Sequence, residues 1–249
     1  MSRAMHDIQY DAVHDEIVIA NIFAQAILTY RGGADGEEAP IRVIQGPRTQ
    51  LQSSDWGMDV DPVHDELFVA EPDAIHVFPR TANGDVAPIR IIRGPKTRFD
   101  GVARPRAMAV DPINNVLVVA SQQRLLIFDR IAQGDVAPLR VIEGPTTGLQ
   151  GVISHLRLHP QKGWIVTVLG GGGGEEGGDE GRSGSGERIR GIAVWSVHDN
   201  GNVPPRWLLG GPKSHIQGGR LTLALNPKAK EVFVGSGQAV DTYFFPEIF

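Results

Sequence analysis

The sequence predicts an all-β fold: a β-propeller of about five blades, each of four short antiparallel strands, with the last blade lacking its outer strand. Three observations carry that prediction. The segment Asp11-Ala12-Val13-His14-Asp15-Glu16 returns fifty residues later as Asp61-Pro62-Val63-His64-Asp65-Glu66, and fifty after that as Asp111-Pro112-Ile113-Asn114-Asn115-Val116. A second marker, Pro40-Ile41-Arg42-Val43-Ile44-Gln45-Gly46-Pro47, recurs at Pro88 to Pro95 and Pro138 to Pro145, and in altered form at Pro205 to Pro212. Between the markers lie runs of four to six residues rich in Val, Ile and Phe, bounded by Gly, Pro, Asp or Asn. No segment sustains a 3.6-residue period, so helix content should be near zero.

In the second unit the four strands fall at about 56–60, 66–70, 74–79 and 88–93. Strand one ends in Asp-Pro, where Pro fixes φ and the Asp carboxylate caps its own turn. Gly84-Asp85 and Gly134-Asp135 mark the turn into strand four, and Gly-Pro ends it. First strands are expected near 6–10, 56–60, 106–110, 154–158 and 221–225, and fourth strands only near 40–45, 88–93, 138–142 and 205–209. The chain therefore reads as a single propeller domain over 1–249, with blades at about 5–46, 55–94, 105–144, 153–211 and 220–249. A Gly-rich acidic insertion at 170–188 lengthens the fourth blade and is expected to be flexible. With no fourth strand in the last unit, either the ring closes on five blades or the chain forms an open arc. The count favours five. The unfinished edge at 240–249 suggests a homodimer.

Composition narrows the partners. The net charge is −5 and the pI about 5.9, leaving no basic surface to neutralise a phosphate backbone, so nucleic acid is not expected. The chain has no cysteine, which removes disulfides, thiolate metal sites and thiol nucleophiles. No stretch reaches the roughly 18–20 apolar residues of a membrane span, and the opening residues have no secretory h-region. The reading is a soluble chain, cytoplasmic as written and exported if a leader has been removed.

The segments Met108-Ala109-Val110-Asp111-Pro112, Leu117-Val118-Val119-Ala120-Ser121 and Leu125-Leu126-Ile127-Phe128 resemble the NHL and YVTN-type repeats of bacterial six- and seven-bladed propellers. The resemblance covers most of the chain. It implies the propeller fold, but its relatives range from scaffolds to lyases and lactonases, so it leaves function open.

In a propeller the strand two-to-three loops and the inter-blade loops share one face. The departures from the repeat cluster there: Asn21, Glu71, Ser121 and Ser236 at the ends of second strands, and His6, Asp7, Trp56, Arg104, Arg106, His155 and Arg220 in inter-blade loops and first-strand starts. Repeated positions serve the fold, and the irregular ones are where a site can be written. His14, His64, Asp11, Asp61 and Asp111 repeat and read as turn residues. Arg42, Arg90 and Arg140 are expected to pair with carboxylates such as Glu16 and Glu66. The expectation is a non-catalytic binding or scaffold propeller that takes a protein, a peptide or a small ligand at this face and needs no cofactor. The alternative is an enzyme like the metal-dependent lactonases or lyases, holding a divalent cation such as calcium in the channel through Asp7, Asn21 and Glu71. Against it, Ser121 and Ser236 stand where further oxygen donors would be needed.

Overall fold

The computed structural model describes residues 5–21, 23–52, 57–99, 104–149, 153–169, 190–216, 221–236 and 239–249. Trp56, Arg220 and the insertion at 170–188 lie outside the described residues, as does the side chain of His6.

The chain folds as five antiparallel sheets. Blade 1 comprises β1 (Met5–Asp11), β2 (Glu16–Asn21), β3 (Ala26–Arg31) and β4 (Arg42–Gln45). Blade 2 comprises β5 (Met58–Asp61), β6 (Glu66–Glu71), β7 (Ala74–Pro79) and β8 (Arg90–Arg93). Blade 3 is β9 (Pro105–Asp111), β10 (Val116–Ser121), β11 (Arg124–Asp129) and β12 (Arg140–Ile142). Blade 4 is β13 (Ile153–His159), β14 (Trp164–Leu169), β15 (Gly191–Ser196) and β16 (Trp207–Gly210). Blade 5 has three strands, β17 (Thr222–Asn226), β18 (Glu231–Gly235) and β19 (Val240–Phe244). Each sheet is a meander in sequence order, so the first strands β1, β5, β9, β13 and β17 follow one another around the axis.

The repeated sequence markers are structural devices. Asp11, Asp61 and Asp111 each accept, through Oδ1, the backbone N–H groups two and three residues on, closing the turn between strands one and two. The residue ending that turn is left-handed in all five blades, at Asp15, Asp65, Asn115, Gly163 and Lys230. Asp and Asn bear that conformation best among non-glycine residues.

Fourth strands begin two residues later than the Pro marker, because Pro88 and its counterparts have no N–H to enter the ladder. Pairing starts with the next residue: Ile41, Ile89, Leu139 and Arg206 donate to the third strand at about 2.8 Å.

The Gly-Pro marker opens a feature the sequence did not announce, a short 3-10 turn at Pro47–Thr49, Pro95–Thr97 and Pro145–Thr147. Two residues beyond each turn, Leu51, Phe99 and Leu149 plug the gap between consecutive blades. A side chain from the following blade caps each turn. Asp85, Asp135 and Asn202 accept the N–H groups of Arg48, Lys96 and Thr146 at 2.7–2.8 Å. Gly84, Gly134 and Gly201 add parallel bridges to the preceding fourth strand. The capping carboxylate or amide occupies the space a Cβ on Gly46, Gly94 or Gly144 would fill, and each of these glycines has φ near +130°.

Four hydrophobic clusters seal the junctions between blades 1 and 2, 2 and 3, 3 and 4, and 4 and 5. Ion pairs reinforce the first two. Glu16 binds Arg42 of its own blade and Arg80 of blade 2, while Glu66 binds Arg90 of its own blade and Arg130 of blade 3. The expected Arg–Glu pairing within a blade is therefore present, extended by arginines from the next blade. Arg140 instead donates to the Val197 carbonyl of blade 4. Among the described residues no such cluster joins blade 5 to blade 1, and strands β6 and β10 of the inner blades are buried on both faces while β2 alternates buried and half-buried residues.

Candidate functional site

The first strands run closest to the axis, and their outer neighbours leave one backbone edge free. Strand register puts Asp7, Gly57, Ala107, His155 and Thr222 at one level of this inner wall, and Gln9, Asp59, Ala109, Arg157 and Ala224 at the next. The repeat breaks down here. Blades 1, 2 and 4 present carboxylate, amide, imidazole and guanidinium groups, whereas the equivalent residues of blades 3 and 5 are Ala or Thr.

Several of these polar groups secure the backbone of the next blade. Asp7 Oδ2 accepts the Met58 N–H at 2.7 Å, and Gln9 Nε2 donates to the Met58 carbonyl at the same distance, so blade 1 grips that residue at both of its backbone groups. Asp59 Oδ2 accepts the Val110 N–H of blade 3 at 2.8 Å. His155 Nδ1 accepts the Leu223 N–H of blade 5 at 3.1 Å, which requires Nδ1 to be unprotonated. Gly57 lets β5 approach closely, since a Cβ there would lie 2.3 Å from the Arg106 carbonyl oxygen.

Arg157 stands among these groups and acts on three of them. Burial pushes Asp59 up to about 6, opposed by the Arg157 charge and the Val110 N–H and assisted by the Asp7 charge. Burial also raises Asp7, against the pull of Arg157. His155 is pushed down to about 3, first by burial and then by the Arg157 charge. Arg157 itself makes one hydrogen bond among the described residues, from Nη1 to the Leu156 carbonyl at 3.1 Å. The wall thus holds a guanidinium with spare donors beside two carboxyl groups that burial pushes above the ordinary aspartate range.

The residues expected at this face divide into two groups. Asp7 and His155 belong to the inner wall. Asn21, Glu71 and Ser121 stand at the ends of their second strands and support connections there. Asn21 Oδ1 accepts the Ala24 N–H at 3.2 Å. Glu71, fully buried, accepts the Gln52 N–H of the inter-blade link at 3.0 Å. Ser121 is fully buried, and Arg104 and Arg106 are half-buried at the start of blade 3. Asp7, Asn21 and Glu71 each have a carboxylate or amide oxygen engaged by a backbone N–H, and among the described residues no group of three or more His, Asp or Glu side chains is arranged to hold a metal ion. Gln9, Asp59 and Arg157 share this wall, and the sequence reading does not single them out. A signal existed: Asp59 and Arg157 interrupt apolar strands at a position held by Ala109 and Ala224 in other blades.

No protein-family profile matches the chain, and no curated protein matches it. The chain is similar in structure to hydrazine synthase of Kuenenia stuttgartiensis, with a TM-score of 0.60 at 13% identity. The match covers 93% of this chain and 55% of that one, so the chain spans about half the length of the solved relative. At that identity the likeness establishes the propeller fold alone.

Proposed function

We propose that the chain is a non-catalytic binding propeller that takes a small polar ligand or the end of a peptide at the axial mouth of the face bearing the inter-blade and strand two-to-three connections. The observation that carries this reading is the broken symmetry of the inner wall. Where the fold needs only a small residue, as in blades 3 and 5, blades 1, 2 and 4 supply Asp7, Gln9, Asp59, His155 and Arg157. A guanidinium with unused donors beside carboxylates of raised pKa suits recognition of a group bearing both an acceptor and a donor.

The test is a thermal-shift comparison of free amino acids and short peptides with free or blocked ends, on the native chain and on Arg157→Gln. A free-ended compound is expected to stabilise the native chain and not the variant. Tight stoichiometric binding of calcium, magnesium, manganese or zinc by calorimetry, abolished in Asp7→Asn, would instead establish the metal-dependent alternative and overturn this reading.

A further inference from the structure

Among the described residues, blades 1 and 5 each leave one sheet face uncovered, and the two faces are of opposite kinds. In blade 3 the face built by Met108, Val110, Leu117, Val119, Leu126 and Phe128 is buried against blade 2. The register-equivalent face of blade 1 is Ile8, Tyr10, Ile17, Ile19, Leu28 and Tyr30, apolar throughout, yet Ile8 is 59% and Tyr10 60% exposed. The opposite face of blade 3, with Ala109, Val118, Leu125 and Ile127, is buried against blade 4. Its counterpart in blade 5 is Ala224, Phe233, Val240 and Thr242, where Val240 is 71% exposed and the neighbouring Phe244 70%. Blade 1 thus displays the surface that every blade from the second onward lays against its predecessor, and blade 5 the surface that each of the first four offers its successor.

Charge at the shared rim agrees with a match between them. The turn and loop of blade 1 on that side carry exposed Asp15, Asp35 and Glu37, while the corresponding turn of blade 5 carries exposed Lys228 and Lys230. An internal junction uses the same rim for opposite charges, where Arg80 of blade 2 meets Glu16 of blade 1.

We propose that these two faces are the halves of one interface, and that a second copy of this chain docks its blade 5 onto blade 1, head to tail. Such a contact is heterologous: it buries different surfaces on the two copies and closes into a ring or continues as a filament. It continues across copies the sheet-on-sheet packing that already joins the five blades, and removes the exposed Ile8, Tyr10, Val240 and Phe244 from water.

Because Tyr10 and Phe244 are exposed, Tyr10→Lys and Phe244→Lys alter the faces without disturbing a packed core. Sedimentation velocity at tens of micromolar is expected to show the native chain as dimers or larger species, weakened by salt, and each variant alone as a monomer. Mixing the two variants should restore a one-to-one dimer, since each retains the face the other lacks. A native chain that stays monomeric would overturn the proposal. So would a dimer that survives Tyr10→Lys, which would indicate symmetric pairing through the β19 edge.

Discussion

The Asp85 carboxylate of blade 2 accepts the Arg48 N–H of blade 1 at 2.7 Å, capping from one sheet the 3-10 turn that ends another. The bond spans a blade boundary at the perimeter, far from the axial contacts, so it fixes the angle at which the blades splay. Asp85→Ala should lower stability by about 1 kcal/mol, the usual worth of a helix-capping acceptor. Gly46→Ala should cost more, roughly 2 kcal/mol or above. It places a Cβ 2.5 Å from the Asp85 carboxyl carbon at a φ of +131° that alanine tolerates poorly. Urea denaturation of the two variants checks the order.

The inner wall makes stability depend on pH through Asp59. Its folded-state pKa is raised to about 6 from 3.8, so the folded chain holds the proton more tightly than the unfolded chain. Stability from this group is full below about pH 4 and falls as pH rises through 6. Asp59→Asn keeps an oxygen for the Val110 N–H and removes the buried charge, and should raise stability at pH 7 by on the order of 1 kcal/mol. Asp59→Ala also lacks the charge but strands the N–H, and should be less stable than Asp59→Asn by about 1–3 kcal/mol. Denaturant midpoints at pH 4 and pH 7 separate these outcomes.

The histidines pull the other way. His155 is pushed down to about 3 and the fully buried His76 to about 4, both chiefly by burial. Each therefore binds its proton less readily when folded, and the stability of the neutral form is lost as pH falls from about 6.5 toward those values. Neither ring nitrogen of His76 makes a hydrogen bond of good geometry; a weak contact with the Thr49 backbone favours the charged form but does not offset burial. Register aligns His76 with Leu126 of blade 3. His76→Leu should thus be neutral or stabilising at pH 7 and should lessen acid denaturation between pH 6 and 4, followed by circular dichroism.

How much of this was legible in the sequence depended on the kind of information each residue carries. The blade architecture was legible because Asp11, Asp61 and Asp111 and the Pro-Ile-Arg marker repeat in register, and each copy makes the same local turn or ladder. The 3-10 turns were not, because three residues after a Gly-Pro show no helical period. The capping role of Asp85 was also hidden, since its partner Arg48 lies thirty-seven residues away in another sheet. At the inner wall Asp7 and His155 stood out at strand starts. Asp59 and Arg157 sit mid-strand, and only the stacking of first strands around the axis makes them neighbours. Glu71 and Asn21 stand out in sequence because their type varies between blades, and in the structure Glu71 Oε2 and Asn21 Oδ1 each accept a backbone N–H of the connection beside them.

Glu66 offers a last measurement, on the junction between blades 2 and 3. Its Oε1 meets Arg90 of its own blade at 2.6 Å and its Oε2 meets Arg130 of blade 3 at 2.6 Å, with the Glu66 side chain almost enclosed. Burial opposes ionisation, but the two guanidinium groups outweigh it and hold the carboxyl below the ordinary glutamate range. The stability it confers is therefore present above about pH 4.5 and lost as pH falls further. Glu66→Gln leaves the largely buried Arg90 without its carboxylate and Arg130 with that of Asp61 alone, 3.7 Å away, and should cost roughly 2–4 kcal/mol at pH 7. Arg130→Met alone leaves Glu66 paired with Arg90 and should cost less. Glu66→Leu combined with Arg130→Met removes one charge of each sign and should recover part of the Glu66→Gln loss, because an apolar pair of similar volume avoids the desolvation that the ion pair must offset. If the double variant proved less stable than Glu66→Gln, the carboxylate would have to be fixing the geometry of the junction itself rather than balancing its charge.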